Sequence, residues 1–292
     1  MIAAGRLLTI GAVLAAMATN VAASAQPRPA GAPAKPMRIM SMNICTDLLV
    51  LQLAPKSRIA SVSYLAHDAA NTVEPGLDKG VAANHGAAED VLLESPDLIL
   101  TGSFSPPATQ RLARQVGARL VLVDQAENFE QIRAVTRQIG QAVGEPGRAE
   151  ALIARMDAKL AQLKASAAPP IRVVAWDGGK TVPGKGTLTN AIIEAAGAVN
   201  IGATLPDATY GRYDLEELIR DRPAALLQGI SSWGGPSLQD DSSANRVVRT
   251  LYRGRRITYP EMLYGCGLPQ SADAAIVLRD ALRRLPKQGW AY

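Results

Sequence analysis

The stretch Glu89-Asp90-Val91-Leu92-Leu93-Glu94-Ser95-Pro96-Asp97-Leu98-Ile99-Leu100 decides the fold. Its first half reads as a short helix over Ala88 to Glu94, with carboxylates in the first turn to complement the helix dipole and a proline to end it. Its second half, Asp97 to Leu100 running into Gly102, reads as a buried strand. The same design recurs as Glu216-Glu217-Leu218-Ile219-Arg220-Asp221-Arg222-Pro223, followed by the apolar Ala225-Leu226-Leu227. A glutamate stands seven residues before each proline. Two copies of one helix–stop–strand unit imply an internal duplication of a lobe plan.

Working outward, the first copy sits among strands at Arg38–Ser41, Arg58–Val62 and Leu120–Val123 and helices at Thr46–Leu53 and Gln110–Gly117. The second sits among strands at Arg172–Trp176 and Ile257–Tyr259 and helices at Leu188–Gly197, Leu215–Arg220, Ala244–Leu251 and Ala272–Leu285. Such alternation predicts an α/β lobe with a largely parallel sheet, twice over. Between them Asn128 can cap a helix through Gly144. A second helix starts near Pro146, apolar at Ala149, Leu152, Ile153, Met156, Leu160 and Leu163, and ends before Pro169-Pro170. Its roughly 20 residues make a rod of about 30 Å, long enough to join two lobes rigidly. The expected organisation is an N-terminal lobe over 37–145, a connecting helix over 146–168 and a C-terminal lobe over 169–292.

The start of the chain reads as a secretory signal: basic Met1–Arg6, apolar Leu7–Ala18 and the cleavage triplet Ala23-Ser24-Ala25. The apolar run is too short to span a bilayer, and no cysteine follows it to carry a lipid. Cleavage near Ala25 and a periplasmic location are expected, with 26–36, which hold four prolines, as a disordered leader. The formal charge of +5 is scattered, and its densest cluster, Arg253, Arg255 and Arg256, flanks a turn, so no nucleic-acid module is expected. Cys45 and Cys266 are the only cysteines. An oxidising compartment permits a disulfide; two free thiols beside a binding site are the alternative.

Asp47 opening the first helix, the two Glu…Pro units, the long helix and Gly197-Ala198-Val199-Asn200-Ile201 resemble the periplasmic cobalamin, ferric-siderophore and haem binding proteins of ABC importers. The likeness covers residues 37–286. It implies an α/β fold of two Rossmann-like lobes joined by a single long backbone helix, with the ligand in the cleft between them and little hinge motion. It also implies that Glu89 and Glu216 top the two lobes and pair with arginines of the permease. Without the resemblance, both would read as ordinary acidic residues at helix starts.

Ligands of α/β lobes bind in loops after strand ends. Those loops hold Asn43, Tyr64, His67, His85 and Phe104 in the first half and Trp176, Tyr210, Tyr213, Trp233 and Tyr264 in the second. Aromatic residues are only 4% of the chain, so their gathering in these loops suits a flat or catecholate ligand. Individual rings could equally plug the lobe cores. His67 and His85, the only histidines, read as surface residues or as ligands to a chelated metal. No HxH or HxxxH spacing supports a bare metal site. Only Arg212, Lys180 and Lys185 are basic in the candidate loops, which favours a less acidic ligand such as a corrinoid. The glycine-rich Gly178–Gly186 lacks a Walker pattern and no G-x-S-x-G elbow occurs, so an enzyme is not expected. The expectation is a monomer that takes a metal chelate to a permease and its ATPase, without cofactor of its own; a haem transporter and a two-lobed sensory or adaptor protein are the alternatives.

Overall fold

A computed structural model describes residues 35–103, 107–166, 170–206, 209–230 and 245–286. The expected signal segment and most of the leader lie outside these residues, as do Phe104 and Trp233. Among the described residues, no helix is long and apolar enough to cross a membrane.

The N-terminal half runs β1 (Ile39–Ser41), α1 (Ile44–Leu53), β2 (Ile59–Ser63), β3 (Ala82–Asn84), α2 (Ala88–Glu94), β4 (Leu98–Gly102), α3 (Pro107–Gln115) and β5 (Arg119–Val123). Its strands form one parallel sheet in the order β3-β2-β1-β4-β5. Parallel strands need helices on both faces, and both are covered. Leu48, Leu49, Leu53, Leu98 and Leu100 fill the core on one face; Met40, Val91, Ile99 and Ala113 fill the other. Alternate residues of β4 thus point to opposite helical layers.

The C-terminal half runs β6 (Arg172–Ala175), β7 (Thr181–Pro183), α6 (Leu188–Ala195), β8 (Val199–Asn200), β9 (Tyr210–Arg212), α7 (Leu215–Asp221), β10 (Ala225–Ile230), α8 (Arg246–Leu251), β11 (Arg256–Pro260), α9 (Glu261–Gly265) and α10 (Ser271–Arg283). Its main sheet is parallel in the order β11-β10-β6-β8, and β7 pairs antiparallel with β9 as a separate ribbon. The neighbour sequence β2-β1-β4-β5 of the first half therefore reappears as β8-β6-β10-β11. The equivalence reaches single residues. Val91 of α2 and Leu218 of α7 are each fully buried, and each helix closes on a left-handed residue, Ser95 or Arg222. These two are the only non-glycine residues with positive φ among the described residues.

The connecting helix does not run alone. α4 (Phe129–Ala142) and α5 (Pro146–Ala165) form an antiparallel hairpin. Arg133 pairs with Asp157 at 2.6 Å and Arg137 with Glu150 at 2.7 Å across it. Asn128 caps α4 as expected, accepting from the Gln131 amide at 2.9 Å. Both helices serve two cores. Ile139, Ala149 and Leu152 belong to the first lobe's core, whereas Ile132, Met156 and Leu163 belong to the second's. At the far end, the buried Arg279 guanidinium donates to the carbonyls of Leu163, Ser166, Ala195 and Ala196, satisfying the C-termini of α5 and α6 with one side chain.

Candidate functional site: the seam at the strand ends

In the first sheet the chain order reverses between β1 and β4. Open α/β sheets bind ligands in the crevice at such a switch point, outside the carboxyl ends of the strands. A crevice of about 80 Å³ lies there, lined by Asn43, Thr46, Gly102, Asp124, Gln125 and Gly267. It has room for a few waters, so it is the floor of a site and not the whole of one.

The second half reaches this floor through one short segment. Cys266, at the end of α9, is bonded to Cys45 in the first turn of α1, with Cα atoms 5.1 Å apart. The disulfide reading is the one the structure shows. Gly267 follows, and a Cβ there would stand 2.4 Å from that of Ala126, a clash no side chain tolerates. The Gln125 amide donates to the Gly265 carbonyl at 3.2 Å. Cys266 and Leu268 are counted in the first lobe's core. The base of the seam is thus bonded covalently and packed without slack.

Beneath the first rim lies a buried polar network. Asp47, wholly buried, accepts from the Ser63 amide at 3.2 Å and from the Ser63 hydroxyl. Its other oxygen has no partner, and burial pushes its carboxyl up to about 7. Ser41 and Thr46 share a hydrogen bond of 2.8 Å; buried Asn84 donates to the Ser41 carbonyl and to Ser61 Oγ, each at 2.8 Å. Ser61 donates onward to Glu94, whose carboxyl burial also raises. This network fixes the ends of β1, β2 and β3 against one another. The residues that follow those ends are Met42, Tyr64 and His85.

Tyr64 is 47% exposed, and its ring stacks on His85 with centroids 5.1 Å apart and planes 18° from parallel. His67 stands apart, its Nδ1 3.1 Å from Asp78 Oδ2. Asn43 is spent as the cap of α1, accepting from the Cys45 amide at 3.0 Å. In the second half the expected aromatic row divides. Trp176 and Tyr213 are core residues, packed with Val174, Val182, Leu226 and Tyr252. Their rings offer no stacking face because Val182, Leu218, Val248 and Tyr252 pack around them, and the Trp176 indole donates inward to the Gly179 carbonyl at 3.0 Å. Tyr264 is also buried, its ring 3.8 Å from that of Tyr259. Burial raises both phenols well above their usual range. Tyr210, in contrast, is 60% exposed on the ribbon, next to exposed Arg212.

Glu89 and Glu216 are both exposed, and neither forms an ion pair with a basic group among the described residues. Asp90 and Asp214 stand beside them. Asp90 accepts from the His85 and Ala87 amides at 2.9 and 3.1 Å, and Asp214 accepts from those of Glu216 and Glu217 at 3.0 and 3.3 Å.

Residues 49–261 match the periplasmic binding protein family. The chain belongs to that family. Its members bind small ligands and work with ABC transporters, which makes this chain the substrate-binding component of an importer. No curated protein sequence matches it. Among solved structures, it is similar to a possible iron-binding periplasmic solute-binding protein of Staphylococcus epidermidis (18% identity, 86% of this chain and 100% of that one, TM-score 0.69). It is similar to a periplasmic haem-binding protein of Pseudomonas aeruginosa (21%, 88% and 95%, 0.66). It also resembles the periplasmic vitamin B12 binding protein of Vibrio cholerae (17%, 87% and 99%, 0.62). At these identities the likeness speaks to the fold, and it supports the two-lobed arrangement.

Proposed function

We propose that this periplasmic binding protein captures a metal chelate, a corrinoid, haem or ferric siderophore, over the disulfide-bonded seam. It then hands the chelate to its permease by docking through Glu89 and Glu216. The observation that carries the reading is the pairing of α2 with α7. Two equivalent helices, one per lobe, each present an exposed glutamate beside a further carboxylate at their starts. Two acidic points on a rigid frame fix orientation and steer encounter with a basic partner, although each contact alone adds little. Solved proteins of the same fold are described as binding haem, vitamin B12 and iron, which supports the ligand class. The Sec-type start, cleaved near Ala25, fits export to the same compartment, and the disulfide fits oxidising surroundings.

The test is to purify the protein from its native periplasm and record its absorbance and mass spectra. A corrin spectrum, a Soret band or a ferric-chelate charge-transfer band is expected. Protein that carries no chelate, and binds none when titrated with all three kinds, overturns the reading.

A further inference from the structure

The carboxyl end of the first sheet carries one metal-ligating side chain with no hydrogen-bond partner among the described residues. We infer that His85 ligates the metal of the bound chelate, with Tyr64 as its positioning residue. The substrate class is then a chelate with a coordination position open to an imidazole. This rests on the chelate-binding reading above and narrows it.

The two histidines lie in different circumstances. His67 is turned onto Asp78. His85 is exposed, and neither of its ring nitrogens has a hydrogen-bond partner among the described residues. What is fixed about His85 is everything except those nitrogens. Its backbone amide donates to Asp90 at 2.9 Å, and the next amide, Gly86, donates to Asn84 Oδ1 at 3.1 Å. Gly86 itself takes φ of +71°, so the turn needs a glycine immediately after the histidine. Asn84, before it, is wholly buried and tied to β1 and β2. An exposed side chain on such a turn starts from a fixed Cα.

Tyr64 then fixes the ring. Ser63 and Asn84, the last residues of β2 and β3, are register partners, so Tyr64 and His85 leave the sheet side by side. Their stack limits rotation of the imidazole plane, and neither ring nitrogen is engaged by a partner among the described residues. A metal ligand needs this combination: a lone pair with no competing partner, on a ring whose plane is already set. Imidazole nitrogen suits iron and cobalt. A hexadentate ferric chelate has no vacant position for it. A macrocycle that fills only the equatorial positions does. Among the described residues, no group of three or more His, Cys, Asp or Glu could hold a bare ion, so the metal's remaining ligands must come from the chelate.

The experiment is an absorbance titration of the intact protein with three probes: ferric protoporphyrin, aquocobalamin and the saturated ferric trihydroxamate ferrichrome. Binding of a macrocycle with the spectrum of an imidazole-ligated metal is expected. His85→Ala should abolish that spectral form and weaken affinity about tenfold or more, the loss on removing a group that holds a metal. Added free imidazole should restore the spectrum in that variant. Tyr64→Phe keeps the stack and should bind like the parent; Tyr64→Ala should weaken the imidazole-ligated form. An unchanged spectrum and affinity in His85→Ala overturns the inference. Binding of ferrichrome alone also overturns it, but leaves the chelate-binding reading standing. Binding of none of the three removes both.

Discussion

Ser95 and Arg222 adopt the same left-handed backbone, with φ of 45° and 44°, at the same step of two equivalent helices. That conformation is costly for a residue with a Cβ, and it is kept in both lobes. It turns each chain sharply from an acidic helix into the central parallel strand β4 or β10. Glu89 and Glu216 therefore stand on matched mounts.

The matched mounts predict a separation of binding from delivery. Replacing both glutamates by alanine should leave chelate affinity unchanged and abolish uptake through the importer. Association with the permease should slow by about one to two orders of magnitude at low salt, where electrostatic steering is strongest. Affinity from spectroscopic titration and uptake into reconstituted vesicles are the two measurements. A loss of chelate affinity would place these residues in the cleft instead.

The bond between Cys45 and Cys266 closes a loop with a sequence separation of 221 residues. Long loops restrict the unfolded chain most, so Cys45→Ser with Cys266→Ser should lower stability by roughly 2–5 kcal/mol. Guanidinium denaturation with and without reductant measures this. Wild-type protein under reductant should match the double variant.

Asp47 predicts a pH dependence. Its carboxyl is raised from 3.8 to about 7, so between those values the folded protein holds a proton that the unfolded chain has released. Stability is then greatest at the acid end of the window and falls as pH rises toward neutrality, on the order of 4 kcal/mol at most. Asp47→Asn removes the titrating group and should flatten this slope in denaturation series from pH 4 to 8. A slope unchanged in the variant would assign it to other groups.

Gly267 has no room for a methyl group against Ala126. Gly267→Ala should cost about 1–3 kcal/mol through overpacking at the seam, measured as a lower denaturation midpoint. Gly265→Ala is the control, because nothing lies within 4 Å of a Cβ there.

The repeated helix–stop–strand units were legible because each combines a terminator with an uninterrupted apolar run. The long helix was legible from its 3–4 spacing, though its pairing with α4 was not, since periodicity shows a buried face but not what buries it. Strands β3, β7, β8 and β9 have three residues or fewer and escaped notice, because none carries the pair of large apolar residues that marks the equally short β1, Ile39 and Met40. That gap matters for the site. Tyr210 to Arg212 read as a loop and are a strand paired with β7, whose Val182 packs in the core with Trp176 and Tyr213. An aromatic residue after a strand looks the same in sequence whether it faces a ligand or its own core. His67 and His85 were equally alike until Asp78 and Tyr64 came into view.

The placement of the two cysteines also orders events during biogenesis. A chain delivered from its N-terminus presents Cys45 early, and its partner emerges only when β11 and α9 have followed. For almost the whole passage the first thiol has no native counterpart within the same molecule. Its pairing marks completion of the fold, so an oxidised Cys45 in a truncated chain is a sign of wrong partnership.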